Sequence, residues 1–552
     1  MPDTLEVTVG SRVRIRVSGR RLKGFVTAVF PTPSGRKLLP IDGVTGDVAS
    51  FDDVMLGVLR WAAMHYVSPL SVVLRRTVPP NVARSGATPQ ADPRSTAADV
   101  RVNVVRPSEV TPQIKRIIAR SDAEGGATMI VAPTIIEVAR IRASLVDTYG
   151  DRVVIATSSS TGKDATDAWT TAAVSGDAIL VGTREIVLWP VARLRSAVVI
   201  QDSRRVMKSP STPTFGVREI LAHRRSVMLH RLDFLTPLPS LETLAMTTHV
   251  TYPRGRSWPL VEVADRGEEP PSRTLLLERT RMAIGLAAKN EQSVFVLVPA
   301  RGYAPAFRCI RCGELRQCQS CGTAATKQGD CRRCGAPLQA CATCSGKRFE
   351  SLGAGIGSVR DAVARSVGDA VGLAGDGRMI TVGSERDIVT QDAVDLALAV
   401  DVDGMSMAPT YRAAEDALRL LVRTANLLRP GRGNRMIVQT ALPNQPVIET
   451  LRSGRAQEFL GKQSDERKRS SFPPHGELIA LEIDRQVRVG GSVTDAVGGL
   501  ATVLGPAEMR DRDRWLIQAD DLTQVRIALR TLVSSLRERG ARVRVDADPI
   551  DL

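Results

Sequence analysis

The chain has 552 residues, of which 43% are apolar and 4% aromatic, and it carries a formal net charge of +16 with a pI near 10. A chain of this length predicts several domains. Its first residues lack the cationic start and apolar block of a signal peptide, and its apolar runs are strand-sized, which argues against export and membrane insertion. We therefore expect a cytoplasmic protein.

The first part of the chain predicts strands followed by helices. Residues 6–30 alternate apolar and polar, with GRRLKG as a turn, and predict a small β domain over residues 1–48. A helical stripe of apolar residues follows within residues 49–80. Prolines among small polar residues then predict a linker over residues 81–105.

Short apolar strands alternate with helices over most of the remaining sequence. This pattern is typical of parallel sheets with crossover helices. One such unit is predicted over residues 106–235. A second is predicted over residues 236–301 and 351–450, and a cysteine-rich segment, residues 302–350, interrupts it. Two α/β lobes with such an insertion suggest a helicase core, and a small α/β domain is predicted over residues 475–552.

All eight cysteines lie between Cys309 and Cys344 and form four CxxC pairs. Each pair can present two thiolates to one tetrahedral zinc, so four pairs predict two structural zinc sites. The short spacing between the first two pairs favours nesting, with an outer set (Cys309, Cys312, Cys341, Cys344) and an inner set (Cys318, Cys321, Cys331, Cys334). A disulfide framework is the alternative, but it is typical of small secreted domains.

Basic residues cluster in two places. The predicted N-terminal hairpin carries six cations: Arg12, Arg14, Arg16, Arg20, Arg21 and Lys23. The cysteine segment adds five arginines: Arg308, Arg311, Arg316, Arg332 and Arg333. Such local excess favours a polyanionic partner, most often nucleic acid, and a solvated basic surface is the alternative. Tyr303 and Phe307 could stack on unpaired bases, although packing is the commoner role of an aromatic beside a zinc site.

The motifs of an ATP site are missing. A phosphate loop needs GxxxxGK[ST] after a strand, and no such string occurs. The nearest match, Gly162-Lys163, precedes an acidic residue, and Gly125 and Gly126 are not followed by lysine. After the strand AVVI only Asp202 remains of an acidic pair, and we interpret it as structural. We find no set of nucleophile and base, so no catalytic residue is predicted.

The segment RGYAP (301–305), directly before the four CxxC pairs, resembles the bacterial replication restart family, primosomal protein N′ (PriA). Further stretches are similar to that family in the same order along nearly the whole chain: GSRVRIRVSGRRLKGFV, HYVSPLSVVLRRTVP, AILVGTREIVLWPVARLRSAVVIQD and ERKRSSFPPHGELIALEI. Helicase members of the family carry a Walker A motif and an Asp-Glu-Glu-His box, both absent here. Arg429 and Arg432 are poor candidates for an arginine finger. The chain therefore looks like a degenerate, helicase-dead branch seen in actinobacteria.

This resemblance implies two degenerate RecA-like helicase lobes, a DNA-binding N-terminal domain, a winged-helix-like segment over residues 49–80 and a two-zinc insertion. It implies binding of stalled-fork or D-loop DNA in replication restart, repair and recombination. Implied partners are primosome proteins, the replicative helicase loader and single-stranded DNA-binding protein. Two Zn²⁺ per chain are implied, whereas ATP hydrolysis does not carry over. The alternatives are an ATP-dependent 3′–5′ DNA helicase with a non-standard nucleotide site and a non-replicative zinc nucleic-acid-binding protein.

Overall fold

The computed structural model describes most of the chain: residues 7–31, 39–46, 48–79, 81, 99–253, 258–269, 275–298, 307–320, 331, 336–351, 355–400, 402–408, 410–431, 433–484, 492–508 and 512–550. The chain divides into two compact units. The first unit is Met1–Tyr252 with Lys468–Pro549, and the second unit is Pro253–Arg467 with Ile550–Leu552. Within the described residues no helix is both long and apolar enough to cross a membrane.

The first unit begins with a three-stranded antiparallel sheet of order β2-β1-β3. Its strands are β1 (Arg12–Val17), β2 (Arg20–Phe25) and β3 (Ile41–Val44). The predicted turn GRRLKG is wrong, because most of it forms β2. The turn is the two residues Ser18 and Gly19, both with positive φ (49° and 77°), which matches the twist of a two-residue hairpin.

Two helices follow this sheet, α1 (Asp53–His65) and α2 (Leu70–Leu74). The Asp52 side chain accepts a hydrogen bond from Met55 N at 2.8 Å and so caps the start of α1. The apolar face of α1 is buried in the main core of the first unit. The helical pattern read from residues 49–80 therefore has a physical basis, and the winged-helix-like arrangement stays a prediction.

A seven-stranded parallel sheet of order β10-β4-β9-β8-β5-β7-β6 forms the centre of the first unit. Its strands and helices are, in chain order, β4 (Asp99–Val104), α3 (Pro107–Ala123), β5 (Ala127–Val131), α4 (Ile135–Tyr149), β6 (Val153–Ala156), α5 (Gly162–Val174), β7 (Ile179–Gly182), β8 (Leu194–Ile200), α6 (Val217–Val227), β9 (Arg231–Thr236), α7 (Leu241–Leu244) and β10 (Val250–Thr251). Helices α3 and α4 cover one face, and α5 and α6 cover the other.

This sheet is larger than the predicted lobe of residues 106–235. Strand β4 lies inside the predicted linker 81–105, and β10 pairs with β4 although its residues were assigned to the second lobe. Strand β10 has only two residues, and β4 (DVRVNV) alternates apolar and polar residues instead of forming an apolar run, which explains the misplaced boundaries.

The second unit contains a six-stranded parallel sheet of order β11-β18-β17-β12-β16-β15. The elements of this unit are β11 (Val261–Asp265), α8 (Glu278–Lys289), β12 (Val294–Leu297), β13 (Phe307–Cys309), β14 (Phe349–Ser351), α9 (Ile356–Val367), β15 (Val371–Leu373), β16 (Ile380–Gly383), β17 (Leu396–Ala399), α10 (Asp403–Ser406), α11 (Ala413–Ala425), β18 (Arg435–Thr440), α12 (Pro446–Ser453) and α13 (Ala456–Arg469). Strands β13 and β14 pair antiparallel on either side of the cysteine segment, which lies between β12 and α9 in the chain.

The C-terminal part returns to the first unit as an antiparallel sheet of order β20-β21-β19-β22. Its elements are β19 (Glu477–Asp484), α14 (Ser492–Val497), β20 (Thr502–Glu508), β21 (Arg512–Ala519), α15 (Thr523–Glu538) and β22 (Val543–Ala547). The inner face of this sheet belongs to the same core as α1 and the seven-stranded sheet. Polar contacts add to this packing, including Lys208 to Asp546 at 2.6 Å and His65 to Asp548 at 2.7 Å.

Candidate metal centre and nucleic-acid interface

The structure brings together the four cysteines predicted as the outer set. Their sulfurs all lie within 4.8 Å of one another. The Cys309 and Cys344 Sγ atoms are 3.5 Å apart, as are those of Cys312 and Cys341. A Zn–S bond of about 2.3 Å in a tetrahedral site places sulfurs roughly 3.8 Å apart. The donor set and the spacing therefore fit one zinc ion with no open coordination position, which is the arrangement of a structural site.

Two similar backbone turns position these sulfurs. In the first, Gly313 N donates to Cys309 O at 2.9 Å and Cys309 N donates to Glu314 O at 2.8 Å. In the second, Ser345 N donates to Cys341 O and Cys341 N donates to Gly346 O, both at 2.9 Å. Each turn folds a CxxC pair so that both thiols point to one side, which is why this spacing predicts a metal ligand pair.

Hydrogen bonds among the outer cysteines shift the pKa values of Cys341 and Cys312 in opposite directions. Burial raises the pKa of Cys341, but the backbone N–H groups of Cys344 and Thr343 and the thiols of Cys312 and Cys344 lower it to about 7. At Cys312 the backbone N–H of Glu314 lowers the pKa, but desolvation and hydrogen bonds with the other three thiols outweigh it and raise the pKa to about 12. Gly346 lies so close that a Cβ there would be 2.9 Å from Cys309 Sγ and 3.2 Å from Cys344 Sγ. The backbone thus packs directly against the sulfurs, and a larger residue at this position would displace them.

The inner set is described only in part. Cys318 and Cys331 are buried, at 3% and 4% exposure. Cys331 N donates to Ala336 O at 2.8 Å, which repeats the spacing of the bonds made by Cys309 N and Cys341 N. Cys321 and Cys334 lie outside the described residues. A second zinc therefore stays a prediction, supported by the repeated turn geometry.

The arginines of the cysteine segment have different environments. Arg311 is exposed, with its Nη1 donating to Cys344 O at 3.3 Å. Arg308 is buried at 8% exposure, and the Arg316 guanidinium lies 4.1 Å from the Phe349 ring centre and donates to two backbone carbonyls. Phe307 packs in the same small core. Of these predicted DNA contacts, Arg311 lies on the surface, whereas Arg308, Arg316 and Phe307 contribute to packing.

Arg332, Arg333 and Tyr303 lie outside the described residues, as does Arg432. Their predicted roles are therefore not located in the structure.

The N-terminal hairpin presents a dense cationic face. Residues directly opposite in an antiparallel pair share a face, and Arg14 pairs with Lys23 while Arg16 pairs with Arg21. All four side chains are exposed. Among them, Arg16 contacts a carboxylate, Asp42, at 3.1 Å. Like charges directly opposite destabilise a sheet, so this arrangement favours an external polyanion that relieves the repulsion.

The remaining two cations of the hairpin differ from these four. Arg12 is half-buried and donates to Ser50 Oγ at 3.2 Å and to Asn81 O at 3.4 Å, so it holds the hairpin to the rest of the first unit. Burial lowers its pKa. Arg20 is exposed but pairs with Val17, which places it on the other face of the hairpin. We therefore define the hairpin cationic face as Arg14, Arg16, Arg21 and Lys23.

The carboxyl edge of the seven-stranded sheet is where a nucleotide would bind in a helicase lobe. Only Val105 and Arg106 separate β4 from α3, too short a connection for a loop that wraps phosphates. The start of α3, which could bind an anion, already carries a carboxylate: Arg106 N donates to Glu109 Oε2 at 2.8 Å. The Glu109 carboxylate therefore takes up one of the free amide groups at this helix start.

Asp202, at the end of β8, is occupied by protein partners. Its Oδ2 accepts hydrogen bonds from Ser240 Oγ at 2.8 Å and Thr243 Oγ1 at 2.6 Å, and Arg218 Nη1 lies 3.3 Å away. The side chain is fully buried. One shielded carboxylate with these contacts does not fit the several exposed oxygens that Mg²⁺ requires. Its other oxygen, Oδ1, is buried without a hydrogen-bond partner among the described residues, and the structural role of Asp202 stays a prediction.

The other two candidates for nucleotide chemistry lie elsewhere. Lys163 is in the first turn of α5, which follows β6, the outermost strand of its sheet. Arg429 makes two contacts of 2.8 Å to Asp395, which immediately precedes β17 and so marks the amino edge of its sheet. Neither residue is near the carboxyl ends of the central strands of its own sheet.

Sequence reasoning missed one pair of residues at the carboxyl edge of the seven-stranded sheet. Arg204 contacts Glu137 across the ends of two neighbouring strands. Sixty-seven residues separate them in sequence. The only signal in the sequence is that each follows a strand in a parallel sheet, which brings their positions to one edge.

A family model for the 3′DNA-binding domain (3′BD) of PriA matches residues 1–79, which include the hairpin cationic face and helices α1 and α2. Curated relatives extend the similarity. Replication restart protein PriA of Treponema pallidum is 23% identical over 99% of this chain and 96% of its own length. The resemblance to PriA is confirmed. PriA of Synechocystis is 22% identical over 73% of this chain, and the probable PriA of Mycobacterium tuberculosis is 26% identical over 69%.

The extent of these matches differs between relatives. This chain spans 56% of the Synechocystis PriA and 61% of the M. tuberculosis protein. Among solved structures, RecG bound to a three-way DNA junction is 10% identical, with a TM-score of 0.37 over 66% of this chain and 42% of RecG.

Proposed function

We propose that this protein binds branched DNA, such as stalled forks or D-loops, in replication restart, and that it does so without hydrolysing ATP. The observation that carries the proposal is the hairpin cationic face, because it lies inside the segment that matches the PriA 3′DNA-binding domain. Two cross-strand pairs of like charge are costly in isolation and favourable against phosphates.

The proposed absence of ATP hydrolysis rests on the carboxyl edge of the seven-stranded sheet. Phosphoryl transfer needs a cradle for the phosphates and carboxylates for Mg²⁺. Here the start of α3 carries Glu109, and Asp202 is buried among hydroxyl groups. The protein would therefore act as a scaffold that recognises the geometry of the fork and the charge of the DNA backbone.

A scaffold needs partners to act on the fork. We propose that this protein, once bound, recruits primosome proteins and the loader of the replicative helicase, and that it meets single-stranded DNA-binding protein at the same forks. The cysteine segment, held together by zinc, would be the second region that contacts DNA, with Arg311 on its surface.

The DNA interface is tested by Arg14→Ala/Arg16→Ala. Each phosphate contact contributes roughly −0.7 to −0.9 to the slope of log affinity against log salt. We expect the double variant to bind fork DNA more weakly and with a slope shallower by about one per lost contact. Fluorescence anisotropy over a series of salt concentrations measures both.

A matched control separates local contact from net charge. Arg360→Ala/Arg365→Ala removes two exposed charges from α9 and should leave the slope as in the unaltered protein. An unchanged slope and affinity in Arg14→Ala/Arg16→Ala would show that the hairpin cationic face does not touch DNA. Equal loss in both double variants would show that only the total charge matters.

A further inference from the structure

Strands β8 and β5 border the topological switch point of the seven-stranded sheet. They are hydrogen-bonded neighbours, and from them the chain leaves in opposite directions, toward β9 on one side and toward β6 on the other. In open α/β sheets, ligands bind in the crevice outside the carboxyl ends of strands at such a point. Side chains that fill this crevice would exclude a ligand from the carboxyl edge of the seven-stranded sheet.

An ion pair between Arg204 and Glu137 spans this crevice. Arg204 Nη1 lies 2.8 Å from both Glu137 carboxylate oxygens, and the two side chains are 8% and 17% exposed. Arg204 follows β8, and Glu137 lies in the first turn of α4, directly after β5. The pair is therefore largely removed from water and connects two neighbouring strand ends.

The same carboxylate also occupies the start of α4. Thr134 Oγ1 donates to Glu137 Oε2 at 2.7 Å and accepts from Glu137 N at 3.3 Å. The partial positive charge of a helix start normally attracts a phosphate or another anion. Here an internal anion, already neutralised by Arg204, takes that position.

The neighbouring strand end is fixed as well. Asp202, two residues before Arg204, receives hydrogen bonds from Ser240 and Thr243, which follow β9. Three adjacent strands, β9, β8 and β5, are thus joined at their carboxyl ends by buried side-chain contacts within the first unit.

We propose that Arg204 and Glu137 form a permanent internal brace across the switch point, in the position where an exchangeable phosphate ligand would bind. The brace holds the carboxyl edge of the sheet in one conformation, so that neither nucleotide nor pyrophosphate alters the first unit. This inference goes beyond the proposed function, because it concerns how the sheet is held and not what the protein binds.

The test compares thermal unfolding midpoints of full-length variants. Breaking a buried pair by removing one partner leaves an uncompensated charge, so Arg204→Ala and Glu137→Ala should each lower the midpoint by about 5 °C or more. The double variant should lose much less than the sum of the two, because the second change removes the stranded charge. Arg140→Ala, an exposed position on α4 one turn after Glu137, is the matched control and should leave the midpoint unchanged.

Ligand addition completes the test. Millimolar pyrophosphate or Mg-ATP should leave the midpoint of the unaltered protein where it is. A raised midpoint with either compound, or additive losses in the double variant, would overturn the brace. If Arg204→Ala does not fold, the neutral double variant Arg204→Gln/Glu137→Gln is compared with Glu137→Ala. A smaller loss in the double variant supports the brace, and an equal or larger loss overturns it. Fork binding measured on the same variants should not change, so failure of the brace and failure of the DNA proposal give different results.

Discussion

Replacing Cys309 by serine is expected to unfold the outer part of the cysteine segment, around β13 and β14, and to remove one zinc per chain, while the inner CxxC pairs and both parallel sheets stay folded. Cys309 is 1% exposed, pairs with Phe349 across β13 and β14, and contributes one of four sulfurs to the outer set. The core around it is small, with Phe307, Phe349 and three of the cysteines. So small a core cannot offset the entropy of folding without the metal, which contributes on the order of 10 kcal/mol at neutral pH.

Metal analysis and limited proteolysis measure this effect. We expect two zincs in the unaltered chain, one in Cys309→Ser and one in Cys318→Ser, with new cleavage confined to the cysteine segment. Gln319→Ala, an exposed position beside Cys318, is the control and should keep both metals. A content of one zinc or none in carefully purified protein would contradict the two-site prediction. A zinc held by cysteines from both the outer and the inner set would contradict the nested pairing.

Replacing Glu415 by alanine should destabilise the second unit by about 3–5 kcal/mol, because it removes a buried carboxylate that two buried arginines share. Glu415 lies on α11 and is fully buried. Its Oε2 accepts from Arg419 Nη2 at 2.6 Å, and its Oε1 pairs with Arg467 at the end of α13. The two guanidiniums are 8% and 3% exposed, so water cannot replace the lost carboxylate.

Hydrogen exchange of the α11 amides under native conditions measures this loss, since these amides report on opening of the second unit. The Glu415→Gln variant should lose less stability than Glu415→Ala, because the glutamine amide oxygen still accepts one hydrogen bond. Glu458→Ala, which removes an exposed partner of Lys462 on α13, should leave exchange unchanged. Equal exchange rates of the α11 amides in Glu415→Ala and in the unaltered chain would show that the contacts of Glu415 with Arg419 and Arg467 do not stabilise this unit.

The parts of this structure that depend on local spacing were predictable. A CxxC turn brings two sulfurs together whatever surrounds it, so the outer set could be predicted from spacing. Apolar strands separated by helices likewise indicated parallel sheets, because only buried strands are apolar on both faces. The missing phosphate loop was visible in sequence, since that loop is one continuous motif.

The parts that depend on tertiary contact were not predictable. Arg204 and Glu137 meet only because parallel strands bring their carboxyl ends to one edge, and nothing local marks them as partners. Burial of Arg308 could not be read from a basic run, because a strand of mixed composition does not show which side chains face its neighbour. The hairpin turn was misplaced because GRRLKG is polar, although its residues form the cationic strand β2.

The measurement that tests the central claim most directly is binding to fork, tailed and plain duplex DNA, with and without Mg-ATP, together with ATP turnover in the same samples. We predict tighter binding to the fork than to duplex, affinities unchanged by ATP, and no turnover stimulated by DNA. Turnover that rises with single-stranded DNA and disappears in Lys163→Ala would contradict this account and would identify an active helicase with a non-standard nucleotide site.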